Sequence, residues 1–258
     1  MGRRWLCRKI LCRDARLNRL ADRFSAFLQT PSSPEERCCR ISGEGLEGEF
    51  RRAFLDNFME VSWEDARSDR RTRLSMSTTG DAYTLYFSLF GELFWSEELS
   101  GAEWTIGPDR FVVLRVREAV ESMTLTPGCR SMGISLSVPS EQLRRFIGDG
   151  PGFGLEAGRG YTGRTFVLTD AVRRVLGDLQ DCPLCGDLRL LYMEAKAMEL
   201  FSLILEQARS GSLGHDRDRL SRTERQALER VKAMIDADIS RLCQRSEERR
   251  VGKECRYR

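Results

Sequence analysis

Between residues 131 and 138 the chain alternates small and apolar side chains, with Ser131, Gly133, Ser135 and Ser137 interleaved among Met132, Ile134, Leu136 and Val138. A period of two is the signature of an extended strand with one face buried and the other exposed. The preceding residues have the same texture. Residues 83–95 are rich in aromatics and are interrupted by Gly91, which reads as a hairpin. Trp104, Thr105 and Ile106 run into a Gly107-Pro108-Asp109 turn, residues 111–116 follow as a strand, and Met123 and Leu125 lead to a Pro127-Gly128 turn. Short strands with turn signals roughly every ten residues predict a barrel or jelly roll. Such a fold can hold a small ligand between its sheets. The aromatics Tyr86, Phe94, Trp95 and Trp104 are candidates to line that pocket, although buried aromatics serve more often as plain core.

Helical signals take over after Pro139. Ser140 is placed to cap a helix carrying Leu143, Phe146 and Ile147, and Thr169 one carrying Val172, Val175, Leu176 and Leu179. The glycine-rich stretch 148–163 lacks the lysine and hydroxyl of a phosphate-binding loop. The strongest helical pattern spans residues 187–209. There Leu188, Leu191, Ala195, Met198 and Leu205 form a stripe, widened by Tyr192, Phe201, Leu203 and Ile204. So broad an apolar surface must be covered on more than one side. It either packs on the barrel and meets a second protomer, or lies wholly buried within one domain. Past a polar linker at 210–219, Ser221 to Glu224 form a capping box after Leu220, and Leu228, Val231 and Ile235 mark an amphipathic helix. That helix reads as the opening of a further domain.

At the other end, Leu6, Ile10, Leu17, Leu20, Ala21, Phe24 and Leu28 make a largely helical stripe among many arginines, and a Pro31–Pro34 stretch breaks it. A solvated basic helix packed on the main domain is favoured over a membrane-surface or nucleic-acid helix. Charge supports that choice. The chain has 42 basic and 39 acidic residues, but six of the basic and three of the acidic lie in residues 245–258, leaving 36 of each elsewhere. Residues 245–255 resemble a translated sequencing adapter, so the tail is expected to be foreign to the fold and the gene to be interrupted near Gln244. No apolar run is long enough to span a bilayer and no secretory signal opens the chain, which points to the cytoplasm and reduced thiols. Of nine cysteines only Cys182 and Cys185 have ligand-like spacing, and the one histidine is His215. Four zinc ligands or a nucleophile–histidine site cannot be assembled from these. The expectation is no catalytic residue, no metal and no cofactor, hence no enzyme.

The stretch 168–207 is more specific. Leu168-Thr169, Cys182-Pro183, Gly186, Leu188-Arg189, Leu191-Tyr192, Glu194 to Ala197 and Glu199-Leu200 closely resemble the connector of AraC-type transcription regulators, in the group of the pyochelin-siderophore regulator. Residues 134–147 resemble that family's sensor domain, and residues 228–240 the first helix of its DNA-binding domain. The resemblance implies an α+β protein: an antiparallel cupin-like β barrel, a helical linker and dimerisation segment, then an all-α DNA-binding domain truncated after its first helix. It divides the chain into a basic segment without family match at 1–43, an effector-sensing β domain at 44–185, a linker helix at 186–210, the start of a helix-turn-helix domain at 220–244, and the tail. It also implies a small-molecule effector with a ferric siderophore as the candidate, a homodimer through the 187–209 stripe, promoter DNA only for the intact protein, and no membrane partner. A stand-alone ligand-binding and dimerisation module is the alternative.

Overall fold

In the computed structural model the described residues are 7–11, 27–28, 31, 33–43, 45–56, 59–147, 153, 155 and 161–210, and the longest strand among them is Thr72–Phe90, of 19 residues. In chain order the strands are β1 (Cys7–Leu11), β2 (Glu35–Gly43), β3 (Leu46–Phe54), β4 (Glu60–Ser68), β5 (Thr72–Phe90), β6 (Leu93–Glu97), β7 (Glu103–Ile106), β8 (Arg110–Leu125), β9 (Arg130–Pro139) and β10 (Tyr161–Val167). Helix α1 (Ser140–Ile147) precedes β10, and α2 (Asp170–Gln180) and α3 (Gly186–Arg209) follow it. The chain divides into two units, Met1–Leu213 and Gly214–Arg258. The second lies outside the described residues, as do the linker, the capping box, the helix read after it and the adapter-like tail.

All ten strands join one antiparallel sheet, ordered β2-β3-β4-β9-β5-β8-β6-β7, with β1 added to β5 and β10 to β8. The long strands β5 and β8 change neighbours along their length. The register of β5 shifts between Thr79 and Ala82, where Gly80 takes φ 131°. Before that bulge β5 pairs with β1 and the second half of β8; after it, with β9 and the first half of β8. A bulge bends a strand and raises its twist. Here it carries β5 from one layer of a cupin-like sandwich to the other.

Alternation then sorts the side chains. On β8, Val112, Leu114 and Val116 belong to an apolar cluster with Leu93, Ile106 and Tyr86 inside the sandwich. Phe111 and Val113 join a different cluster on the opposite face, with Leu85, Phe87, Ile134 and Leu136 and the helical residues Val172, Leu176, Ala197, Phe201 and Ile204. The rings of Phe87 and Phe111 lie 5.0 Å apart, and those of Phe111 and Phe166 stack at 5.1 Å. The middle of this sheet is thus buried on both faces.

That layering corrects several expectations. The serine face of β9 does not meet water: Ser131 and Ser137 are buried, and Ser137 shares a 3.0 Å hydrogen bond with Thr84. Gly91 does end a strand, but β5 and β6 form no hairpin, because β6 pairs with β7 and β8. Gly91 sits at φ 77° with the Arg130 carbonyl where a Cβ would lie, so a side chain there would be both strained and blocked. Residues 7–11 are strand, not helix, and residues 35–43 pair along their whole length with β3. Gly163 lies within a strand opposite Leu114 rather than in a loop. Thr169 caps α2 as expected, accepting from the Val172 amide. Ser140 is itself the first residue of α1, and its hydroxyl donates to Asp81 at the β5 bulge.

Three carboxylates that pin this scaffold ionise below their ordinary range. The guanidinium of Arg130 holds Asp65 down through hydrogen bonds of 2.6 and 2.8 Å. Burial pushes Asp81 up, but hydrogen bonds from Ser140 and Arg115 outweigh it. Burial also opposes the ionisation of Glu97, and the Ser100 hydroxyl with the Leu99, Ser100 and Val120 amides overcomes it. Unfolding returns all three to ordinary values near 4. Their stabilisation is therefore complete above that pH, and it is lost as pH falls and the folded carboxylates protonate. Urea midpoints are expected to hold from pH 7 to about 5 and then decline, with Glu97→Gln showing a shallower decline. A midpoint unchanged down to about pH 3 would contradict this assignment.

Candidate functional site

The two layers enclose a cavity of about 150 Å³. Every strand from β3 to β9 except β7 contributes to its wall. From β3 come Phe50, Arg51 and Arg52, from β4 Ser62, Trp63 and Glu64, from β5 Leu74, Ser75, Met76, Thr84 and Tyr86, from β6 Leu93 and Trp95, from β8 Glu121 and Met123, and from β9 Ser135. Phe27 and Leu28 close it from the N-terminal side.

The polar groups of this wall are tied down. Arg52, 1% exposed, forks onto Glu60 with bonds of 2.9 and 2.8 Å and donates a third, of 3.0 Å, to the Phe27 carbonyl. Its guanidinium also lies 4.6 Å from the Phe54 ring centroid. Ser62 donates to the same Glu60 at 2.8 Å. Thr78 donates to Glu121 at 2.8 Å. The Tyr86 hydroxyl donates to Glu64. Burial, reinforced by the Glu64 charge, pushes the Tyr86 phenol well above its ordinary value, so it stays protonated and remains a donor. The hydroxyl end of the Tyr86 ring approaches β9 closely at Gly133. A Cβ on Gly133 would fall 2.7 Å from the Tyr86 Cζ, so only glycine allows the ring this close.

The expected pocket aromatics divide. Tyr86 and Trp95 meet edge to face in the cavity wall, with ring centroids 5.8 Å apart. Trp104 packs beside them against the inner cluster but is not part of the cavity wall, and Phe94 is 42% exposed. Arg52, Glu64 and Glu121 belong to none of the patterns read from the sequence. For Glu64 a signal was present in the period-two set Glu60, Ser62, Glu64 and Ala66, interleaved with Val61, Trp63 and Asp65.

Helix α3 has two apolar stripes. Met193, Ala197, Leu200, Phe201, Ile204 and Leu205 are buried against the sheet and α2. Of the apolar surface expected from sequence, Phe201, Ile204 and Leu205 are buried on that face, and Met198 and Leu203 pack against it half-buried. Leu188 and Leu191 are each 64% exposed, Ala195 is exposed, and Tyr192 and Met198 are half-buried. Among the described cysteines, Cys38 is exposed, Cys39 buried, Cys129 exposed, Cys182 half-buried and Cys185 exposed. Among the described residues no group of three or more His, Cys, Asp or Glu is placed to hold a metal ion, and no helix is long and apolar enough to cross a membrane.

A folded-over antiparallel sheet around a small cavity, followed by helices packed on its outer face, defines a cupin-like sandwich. The family model for the regulatory protein PchR N-terminal domain matches residues 47–220. The chain belongs to that family and is a regulatory N-terminal domain of the AraC type. Among solved structures it is similar to the AraC-like transcriptional activator CuxR, at 11% identity and TM-score 0.44, covering 74% of this chain and 67% of that one. It is also similar to ToxT from Vibrio cholerae, solved with a bound unsaturated fatty acid, at 13% identity and TM-score 0.39, covering 64% and 60%. The Schizosaccharomyces pombe Cnp3 cupin domain is similar at 12% identity and TM-score 0.30, covering 45% and 98%. No curated protein sequence matches the chain.

Proposed function

We propose that this chain is the effector-sensing and dimerisation part of a cytoplasmic AraC-family regulator, and that the sandwich cavity is its effector site. One observation carries the reading. The strands that wall the cavity also seat α3. Tyr86 faces the cavity while its neighbours Leu85 and Phe87 join the cluster holding Phe201 and Ile204, and Ser135 does the same between Ile134 and Leu136. An occupant that shifts the inner face therefore shifts the helix bed through the same backbone. For this to switch anything, the effector must bind two arrangements of α3 with different affinity.

The family supports an iron-linked effector, a ferric siderophore among them, and control of iron-uptake promoters by the intact protein. The cavity volume would then admit one ring or arm of such a complex rather than the whole. Coupling is tested by hydrogen exchange with and without a bound effector. Altered protection along α3 as well as in β4, β5 and β9 is expected. A ligand that protects the strands yet leaves α3 unchanged would sink the switch.

The outward stripe of α3, with Leu188 and Leu191, fits a second copy of the chain in the homodimer. Light scattering is expected to show a dimer, and the pair Leu188→Glu and Leu191→Glu to convert it to monomer with the unfolding midpoint preserved. A dimer that survives both substitutions places the interface elsewhere.

A further inference from the structure

Resting on the reading of the cavity as the effector site, we propose that the group entering it is an uncharged single ring. The interior of the sandwich carries two apolar clusters that do not merge. Phe27, Leu28 and Phe50 belong to one, Tyr86 and Leu93 to the other, and all five line the cavity. Among the described residues only Met123 packs against both clusters. Leu74, Met76 and Met123 also line the cavity, yet each remains half-buried. Apolar side chains in an interior ordinarily touch neighbours on every side. Facing a void, these three forfeit dispersion contacts that an apolar occupant would restore, and the same occupant would join the two clusters. Size sets the limit: a cavity of about 150 Å³ matches an engineered apolar cavity that takes up benzene. Shape favours a flat ring over a chain. Tyr86 and Trp95 already meet edge to face at 5.8 Å in the wall, and the thioethers of Met76 and Met123 suit aromatic neighbours.

The polar groups of the wall argue against a charge on the ring. Arg52 is forked onto Glu60, which also accepts from Ser62. Tyr86 donates to Glu64 and Thr78 to Glu121. Thr84 shares a hydrogen bond with Ser137, and Ser75 with Ser122. Arg51 lies 5.2 Å from the Trp63 ring centroid and 3.8 Å from Glu49. These contacts close within the protein. A charged ligand would therefore surrender its hydration and compete for groups that already have partners, whereas an uncharged ring gains from leaving water.

The proposal is tested on the full 258-residue chain by calorimetric titration near neutral pH with toluene, benzylamine and benzoate. The three share one ring and differ in charge. Toluene is expected to bind saturably and roughly tenfold or more tightly than either charged probe, which must be stripped of its hydration to enter. With carbon-13 in the methionine methyls, the Met76 and Met123 signals should move as toluene is added. Met76→Trp, which fills the space, should weaken toluene binding by roughly tenfold or more. The methyl shifts carry the test if that variant folds poorly. Benzylamine or benzoate binding as tightly as toluene overturns the uncharged assignment and leaves the effector site standing. Toluene binding that moves neither methyl places the ring elsewhere and overturns it too. If toluene binds as expected but exchange protection along α3 does not change, the ring assignment stands and the switch falls. If none of the three binds, the ring assignment falls, and the effector reading then rests on the exchange experiment alone.

Discussion

Arg52→Ala is expected to lower the free energy of unfolding by about 3–5 kcal/mol, because it removes the cation paired with the buried Glu60 carboxylate. Both partners are 2% exposed at the side chain and meet through a two-bond fork. The substitution also removes the donor to the Phe27 carbonyl, which leaves the contact between the N-terminal residues and the cavity floor without its polar anchor. The double variant Arg52→Met with Glu60→Leu is expected to recover most of the loss, since an apolar pair of similar volume avoids both desolvation costs. Urea denaturation of the three variants checks this. If the double variant is as unstable as Arg52→Ala, the damage comes from lost packing and not from the missing cation.

Phe201→Ala is expected to cost a similar amount, about 3–5 kcal/mol, through the cavity it opens. Phe201 is 1% exposed and packs edge to face on Phe153 at 5.9 Å and on Phe146 at 6.4 Å. It therefore joins α3 to α1 and to the segment after it, over the outer face of the sheet. Two readouts separate its role from general core loss. Stability should fall, and exchange protection should drop along α3 and α1 more than in the β2–β3 ladder, which lies away from this contact. Equal loss of protection everywhere would show that α3 has no independent seating on the sheet, and would remove the physical basis for signalling through it.

The strand and helix elements nearest these residues were legible from sequence to different degrees. The pattern at Val172, Val175, Leu176 and Leu179 gave a helix whose buried face is the one observed. On α3 the helix was evident but its orientation was not. Two apolar stripes share its circumference, and periodicity alone cannot rank them, so the exposed Leu188 and Leu191 were grouped with the buried Leu205. Partner assignment failed for a related reason. Gly91 marks a strand end whichever neighbour follows, and nothing local states that β6 will pair with β8 instead of β5.

Local chemistry, then, determined that the central stretch is extended, where its strands break, that helices follow, and through the connector at 168–207 which family the chain joins. Tertiary structure alone decided what each face meets. It turned Ser131 and Ser137 of β9, Arg52 of β3 and Glu60 of β4 inward, since a strand covered on both faces has no side left for water. Interior polar groups of that kind look like surface in a sequence, because only strand pairing supplies their partners: Glu60 meets Arg52 across the β3–β4 pair, and Tyr86 of β5 reaches Glu64 of β4 past the intervening β9.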